Sequence, residues 1–353
     1  MKDIIRVVFV IIGTFIGAGF ASGQEIYFFF FKYGINGLIG IFISSIILGI
    51  IISKTLKIIK ERNIQNYKEF LNNIILKKTN TKEKNNLNQK TNKLIQIMNI
   101  IVNTFILVTF FIMIAGFGTY FAQQFGTNQL IGSSILALIV YIILNTNVKG
   151  VVKANEIVVP ILVTLVTIIG IANLKNIPII DIDNYLIQNK NIEFILHAIL
   201  YASYNSILLI PVLITLNKYI KNNKQTIIIG ITSTLIILIM SVLIFLLLIK
   251  VDVNIENLEM PVVYVVSNML RILEYIYGIV ILGSIFTTAI SLGISFLQNI
   301  AKNKKSYTQI VLIMCITSVI ISKIGFSNLV NMLYPIFGYL GMLQIYKIVI
   351  KKA

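Results

Sequence analysis

Apolar residues run along this chain in ten long blocks, at roughly 4–31, 36–53, 94–122, 128–146, 150–172, 193–216, 226–249, 271–300, 307–323 and 327–349. Short polar or basic stretches separate them. The apolar core of a bilayer takes about 20 residues of helix, so the pattern predicts ten transmembrane helices and an all-α integral membrane protein. The first block departs from the others. It contains Gly13-Thr14-Phe15-Ile16-Gly17-Ala18-Gly19-Phe20-Ala21-Ser22-Gly23-Gln24-Glu25, a glycine-punctuated run ending in an amide and a carboxylate. A straight helix starting at Ile4 would reach the far interface near Gly23 and leave Tyr27 to Phe31 in water. A helix interrupted near its middle keeps both ends in lipid. Non-helical backbone at that depth is tolerated only where it is buried in protein or lines a cavity.

The sixth block has a similar irregularity. Small and polar residues cluster from His197 to Ser206, and Pro211 removes one backbone donor a turn later. The ten blocks divide into two fives, with an irregular segment first in each. Interrupted segments in corresponding positions of two halves point to a transporter's binding site. The expected organisation is one membrane domain over 1–353, with one repeat at about 4–172, a second at about 193–349, and discontinuous first and sixth helices.

The chain has 353 residues, 57% of them hydrophobic, which excludes a soluble globular domain. Its start, with Lys2, Arg6 and small residues near Ala18 to Ala21, is similar to a signal peptide. Further membrane segments come after it, and no exported soluble domain. One cysteine, Cys315, excludes a disulfide framework and a cysteine-based metal site. The net charge of +17 is distributed as membrane topology requires, so no nucleic-acid partner is expected. All but Lys32, Lys175, Lys190, Lys250, Arg271 and Lys323 of the 30 basic residues fall on one side of a ten-span chain. The positive-inside rule makes that side, with both termini, cytoplasmic and the location the cell membrane.

The connection at about 54–93 is rich in Lys and Asn, and its second half from Lys77 reads as a disordered, basic loop near the inner leaflet. Two outer segments exceed the length of a turn. One, from Asn173 to Asn191, carries Asp181 and Asp183. The other, from Val251 to Asn268, includes the run Met260 to Val266, too short to span. It either folds back as a lid over an outer vestibule or rests at the interface.

The run at 13–25 resembles the opening motif of the YkvI-type bacterial membrane proteins. These are distant relatives of the amino acid–polyamine–organocation transporters, which share the LeuT-like fold. The resemblance covers the whole chain in span count and is specific in the first-span motif. It implies two inverted five-helix repeats, a central site between spans one, three, six and eight, and alternating access driven by an ion gradient.

A broken helix exposes N–H groups at the start of its outer half and C=O groups at the end of its inner half. The first attract anions. The carbonyls from Ile12 to Phe15 are therefore expected to face a cation, and the N–H groups from Gly17 through Ala18 to Gly19 a carboxylate. An amino acid fits, with its ammonium on carbonyls of span six. The expected solute site comprises Gly13, Thr14, Gly17, Ala18 and Gly19 with Tyr201, Ser203 and Asn205. The alternative for the glycines is helix packing, since Gly13/Gly17 and Gly19/Gly23 are GxxxG spacings.

Span eight carries Ser284, Thr287, Thr288, Ser291 and Ser295, a hydroxyl stripe on one helical face. In sodium-coupled relatives such hydroxyls join carbonyls of span one in a sodium site, and the resemblance assigns that role to Ser284, Thr287 and Thr288 with Ile12 and Phe15. Hydroxyls bonding back within their own helix are the alternative. In other relatives a span-five lysine replaces sodium, and Lys153, near Glu156, is the candidate. Glu25, expected at the outer rim, and His197 are the remaining titratable groups within spans. Tyr120 corresponds to a span-three tyrosine that binds substrate carboxylate in relatives; an aromatic at the membrane interface is the alternative.

These features predict an ion-coupled secondary transporter of a small zwitterion, an amino acid or related amine, in the lipid bilayer. The coupling ion is sodium or a proton, and no other cofactor or metal is expected. The second reading is an amino-acid sensor, since ten-span subunits of spore germinant receptors resemble the same superfamily. An enzyme is not expected, because one histidine makes no zinc site with protein nitrogen alone and no serine–lysine dyad lies in facing spans. No Walker motif is present. No ring of charges marks a pore. The sequence leaves the oligomeric state open.

Overall fold

The computed structural model describes residues 2–75, 84–146, 151–174, 192–251, 253–269, 271–301 and 303–351, and their side chains except at 2, 84–92, 151–157, 173 and 174. All regular elements among the described residues are helices, with no strand. The first apolar block gives three short helices, α1 (Lys2–Phe15), α2 (Ala18–Ala21) and α3 (Gln24–Phe29). A tight turn leads to α4 (Ile35–Arg62), followed by α5 (Tyr67–Ile75), α6 (Lys84–Phe125), α7 (Gln129–Thr146) and α8 (Val151–Leu174). The second half holds α9 (Glu193–Thr215), α10 (Asn223–Leu248), the short α11 (Pro261–Ser267), α12 (Arg271–Ile300), α13 (Lys304–Ser322) and α14 (Phe326–Ile350).

Among the described residues, eight helices are long and apolar enough to cross a bilayer, and the apolar part of α8, Val158–Ala172, is a shorter one. A ten-span count therefore takes α8 and the interrupted α1–α3 segment as crossings. The asparagines have local work here. Asn222 and Asn303 accept the Gln225 and Ser306 N–H groups at 3.0 and 2.8 Å, capping α10 and α13.

Small residues set how closely the helices approach. Helix α9 is packed between α4 and α14. At Gly338 and Gly341 of α14, an added Cβ would stand 2.9 Å from the Leu200 carbonyl oxygen and 2.7 Å from that of Ser203. In lipid, association rests on such contacts because the apolar medium offers no hydrophobic drive. The same device joins α6 to α7, where a Cβ at Gly118 would meet the Ser133 hydroxyl at 2.2 Å.

Polar contacts define two faces. Asp3 and Lys221 pair at 3.9 Å, Asn223 donates to Glu61 at 2.7 Å, and Lys54 donates to the Val349 carbonyl. The start of α1 and the ends of α4 and α14 thus share one face, called here the termini face. On the opposite face Tyr27 donates to Glu256 at 3.4 Å, and Glu259 accepts from the Ser327 N–H at 2.7 Å.

Two expectations change, and one open alternative is decided. The sixth block is one unbroken helix: α9 runs from Glu193 to Thr215 with Pro211 inside it. Ser203, Asn205 and Ser206 need no break, because they donate to the carbonyls of Ile199, Tyr201 and Ala202 four residues earlier. The basic connection is not one loop. Helix α4 persists to Arg62, α5 buries Phe70, Leu71 and Ile74, and α6 begins at Lys84, since no glycine or proline intervenes before Gly116. Residues 76–83 lie outside the described residues, as does the outer segment from 175 to 191 with Asp181 and Asp183. Finally, the run at 260–266 is a lid: α11 is buried against the interrupted segment, with its Val262 N–H donating to the Ser22 carbonyl at 2.8 Å.

Gly341→Ala is expected to cost about 1–3 kcal/mol through backbone overpacking of α9 on α14. Gly283→Ala, whose nearest neighbours are Val158 methyls at 3.6 Å, should cost far less. Thermal unfolding of the two variants in detergent checks this, and equal midpoints would contradict the packing described.

Candidate functional site

The interrupted segment is the centre of the site, and its loose backbone groups can be followed one by one. The Ile16 N–H closes the last α1 turn on Ile12 at 2.8 Å, and the Gly17 N–H turns back to the Phe15 carbonyl at 3.1 Å. Gly17 is extended (φ −99°, ψ −172°), which ends α1 and starts the single turn of α2. A second interruption follows at Gly23, whose left-handed φ of 83° suits glycine and where an added Cβ would stand 2.6 Å from a Val262 methyl. The freed carbonyls are taken by other helices. Ser284 of α12 donates to Ile16 at 3.3 Å, Tyr277 of α12 donates to Ala21 at 2.5 Å, and the α11 backbone takes Ser22. This pairing is what backbone at membrane depth requires.

Glu25 does not sit at an outer rim. It is buried at 3% exposure and folds back over α2. The Tyr204 hydroxyl donates to its Oε2 at 2.5 Å, its Oε1 lies where a Cβ on Gly19 would be 2.3 Å away, and the Phe20 N–H faces the same carboxylate. Of the N–H groups expected to cradle a solute's carboxylate, that of Gly17 turns to the Phe15 carbonyl, and the one that meets Glu25 is the next along after Gly19, that of Phe20. Gln24 beside it donates to Ser327 at 2.9 Å and Asn331 at 3.3 Å of α14. Aromatic rings surround the pair, with Tyr204 stacked near Tyr334 at 4.6 Å and against Phe29 at 5.4 Å.

A cavity of about 70 Å³ abuts Glu25. Of the expected residues, Gly13, Thr14, Phe15, Gly17, Asn205 and Thr288 line it with Glu25. Thr109 and Met113 of α6, Tyr204 of α9, Ser291 and Ser295 of α12 and Tyr334 of α14 complete the wall. Along α9 the lining proceeds from Tyr204 through Leu208 to Val212, along α12 from Thr288 to Ser295, and along α6 from Met113 back to Ile106. All three run toward the termini face. Toward the other face α2, α3 and the α11 lid close the site. Pro211 also lines the cavity and leaves the Ile207 carbonyl without its helical donor.

The remaining expected residues stand elsewhere. Ile12, Ala18 and Gly19 are in the interrupted segment but behind the cavity wall, and Tyr201 packs its ring against Phe30 at 4.8 Å. Ser203 turns to its own helix. Thr287 donates to the Ser284 carbonyl at 3.1 Å, and Ser291 to that of Thr287 at 2.8 Å, so this part of the hydroxyl stripe bonds within α12. The Tyr120 hydroxyl packs at Gly278, away from the cavity. His197 lies among Phe28, Phe29 and Tyr33 near the face opposite the termini. Lys153 and Glu156 fall in the first turns of α8, where side chains lie outside the described residues. Among the described residues no group of three or more His, Cys, Asp or Glu is placed to hold a metal. In the lid connection, burial holds the Glu259 carboxyl above its ordinary range, against the lowering effect of the Ser327 and Phe326 N–H groups. A wider groove of about 900 Å³ between α4, α10 and the end of α14 lies on the outer flank, apart from the interruption.

No family model matches the chain. It is similar along its whole length to the uncharacterized membrane protein YkvI of Bacillus subtilis (strain 168), at 28% identity over 368 positions covering 99% of this chain and 96% of the relative. The uncharacterized protein YyaD of the same organism is 25% identical over 94% of this chain and 92% of its own. Among solved structures, MhsT in complex with L-phenylalanine superposes with a TM-score of 0.65 at 13% identity, covering 96% of this chain and 87% of that one. A single-residue mutant of the Eremococcus coleocola manganese transporter superposes at 0.60 and 11% identity, covering 98% and 77%. The fold is that of the LeuT-like transporters. In this LeuT-like chain the first span carries the interruption, and the sixth only a proline.

Sequence reasoning missed Thr109, Met113 and Tyr334 as cavity residues. Thr109 and Met113 sit in an apolar run without a local signal. Tyr334 had one, as the Tyr of a Tyr-Pro pair inside an apolar span.

Gly19→Ala is expected to push the Glu25 carboxylate from its place and lower the unfolding midpoint by an amount corresponding to about 1–3 kcal/mol. Gly17→Ala meets only the end of Met113 at 3.4 Å and should stay close to the parent. Matching midpoints would show that Glu25 does not pack on Gly19.

Proposed function

We propose that this protein is a secondary transporter that carries a small solute, an amino acid or related amine, across the cell membrane by alternating access. The observation that carries the reading is the central cavity at the interrupted first span, closed by the α11 lid on one side and extended toward the termini face on the other. A site reached from one face at a time is what alternating access needs. The LeuT-like fold supports the same reading, and MhsT with bound L-phenylalanine makes an amino acid or its amine a reasonable first panel.

Sodium or a proton drives the cycle. Thr14, Thr288 and Ser291 bring hydroxyl oxygens to the cavity, where a small cation finds ligands. Spans one and six, here α1–α3 and α9, move against a scaffold that includes α6 and α12. Basic residues cluster at the termini face, which the positive-inside rule makes cytoplasmic. The protein acts in the bilayer on a small molecule and is a carrier rather than an enzyme.

Uptake into proteoliposomes under sodium and proton gradients, over a panel of amino acids and amines, tests this. Saturable, gradient-driven accumulation of at least one solute is expected. Solute binding with no gradient-driven uptake would replace the transporter with a sensor. If sodium is the driver, the double substitution Thr288→Ala with Ser291→Ala abolishes the sodium dependence of uptake; unchanged stimulation by sodium rejects that ion site.

A further inference from the structure

The Glu25 carboxylate folds back onto α2 beside the central cavity. It lies on the Gly19 and Phe20 backbone with the Tyr204 hydroxyl on Oε2 at 2.5 Å. Each neighbouring element contributes neutral groups. Helix α9 offers Tyr201 and Tyr204, α14 offers Tyr334, α6 offers Thr109, and Tyr277 of α12 is committed to the Ala21 carbonyl. Among the described residues no lysine, arginine or histidine pairs with Glu25. An ionised carboxylate buried without a cation is unfavourable in a low-dielectric site, so the group takes either a proton or an external cation.

The cavity beside Glu25 selects among cations. It holds one carboxylate, so one positive charge balances it and a divalent ion leaves an excess. Its wall combines the hydroxyls of Thr14, Thr288 and Ser291 with the apolar Met113, Leu208 and Val212, and the phenol rings of Tyr204 and Tyr334 stand next to the acid. An ammonium on a short apolar stem matches that wall, with its head at Glu25 against π faces and its stem toward the termini face. A solute with its own carboxylate would bring a second negative charge into the small cavity beside Glu25.

We infer that the solute is a small primary amine without a carboxylate, and that it competes with a proton for Glu25, so that transport exchanges the amine for a proton. The step balances: the protonated acid and the ammonium give a carboxylate–ammonium pair and one released proton. The exchange rests on the transporter reading above, whereas the binding competition stands without it.

The test uses the full chain in detergent, weakly buffered, with a pH indicator. The probes are matched pairs differing by one carboxylate: ethylamine and alanine, isobutylamine and valine, ethanolamine and serine. At a pH where Glu25 is protonated, an amine is expected to release about one proton per protein and its amino acid none. Apparent amine affinity rises about tenfold per pH unit until Glu25 is ionised. Glu25→Gln, which retains an acceptor for Tyr204, abolishes the release and weakens amine binding by at least about 30-fold. The wild-type comparison carries the test even if that variant does not fold. Amino acid binding without amine binding overturns the inference and leaves the transporter reading intact. Amine binding without proton release, no amine binding at all, or release driven by Na⁺ alone also overturns it. Proton-coupled amine binding without amine uptake in proteoliposomes upholds the site and rejects the transporter.

Discussion

A peptide group in hydrocarbon has no water to turn to, and this constraint organises the molecule around residues 16–23. Two interruptions within eight residues free several carbonyls and N–H groups at membrane depth. Four of them meet specific partners: a serine and a tyrosine of α12, a main-chain N–H of α11, and the carboxylate of Glu25. Interrupted backbone survives in a membrane only with such partners. Helices α11 and α12, a lid and a scaffold element, are therefore tied to one short stretch of chain, and that stretch also forms the cavity wall.

The rest of the bundle makes those ties possible by close approach. Gly338 and Gly341 bring α14 against the backbone of α9 at the height of Leu200 and Ser203, next to the turn that presents Tyr204. Tyr204 in turn reaches Glu25. The geometry of the acid thus depends on two glycines of α14 that do not themselves line the cavity. Packing and site are one problem, because lipid supplies no drive that would tolerate a loose interface.

Much of this was legible in the residues. Ten apolar blocks and the glycine run from Gly13 announce a multi-span protein with an interrupted first segment, while the short apolar stretch at Met260 left a lid and an interfacial run open. The sixth span misled. Ser203, Asn205 and Ser206 look like the residues of a break, yet each side chain bonds its own helix four residues back, a choice composition does not reveal. Glu25 misled in another way. Its position after the glycines suggested the rim, but the left-handed Gly23 reverses the chain so that the acid returns onto α2. Sequence spacing encodes helical faces well and reversals poorly. Thr109 belongs to a span whose own pattern is ordinary, whereas Tyr334 carried a signal in the proline that follows it.

The bond from the Val262 N–H to the Ser22 carbonyl joins lid and interrupted span through main-chain atoms alone. Side chains at 22 and 262 can drift over generations without erasing it, so comparing related chains column by column would not expose the latch. Only an imino acid at 262 would delete its donor. The closure of this face is in that sense written in backbone geometry, and it is inherited with the fold rather than with any particular pair of residues.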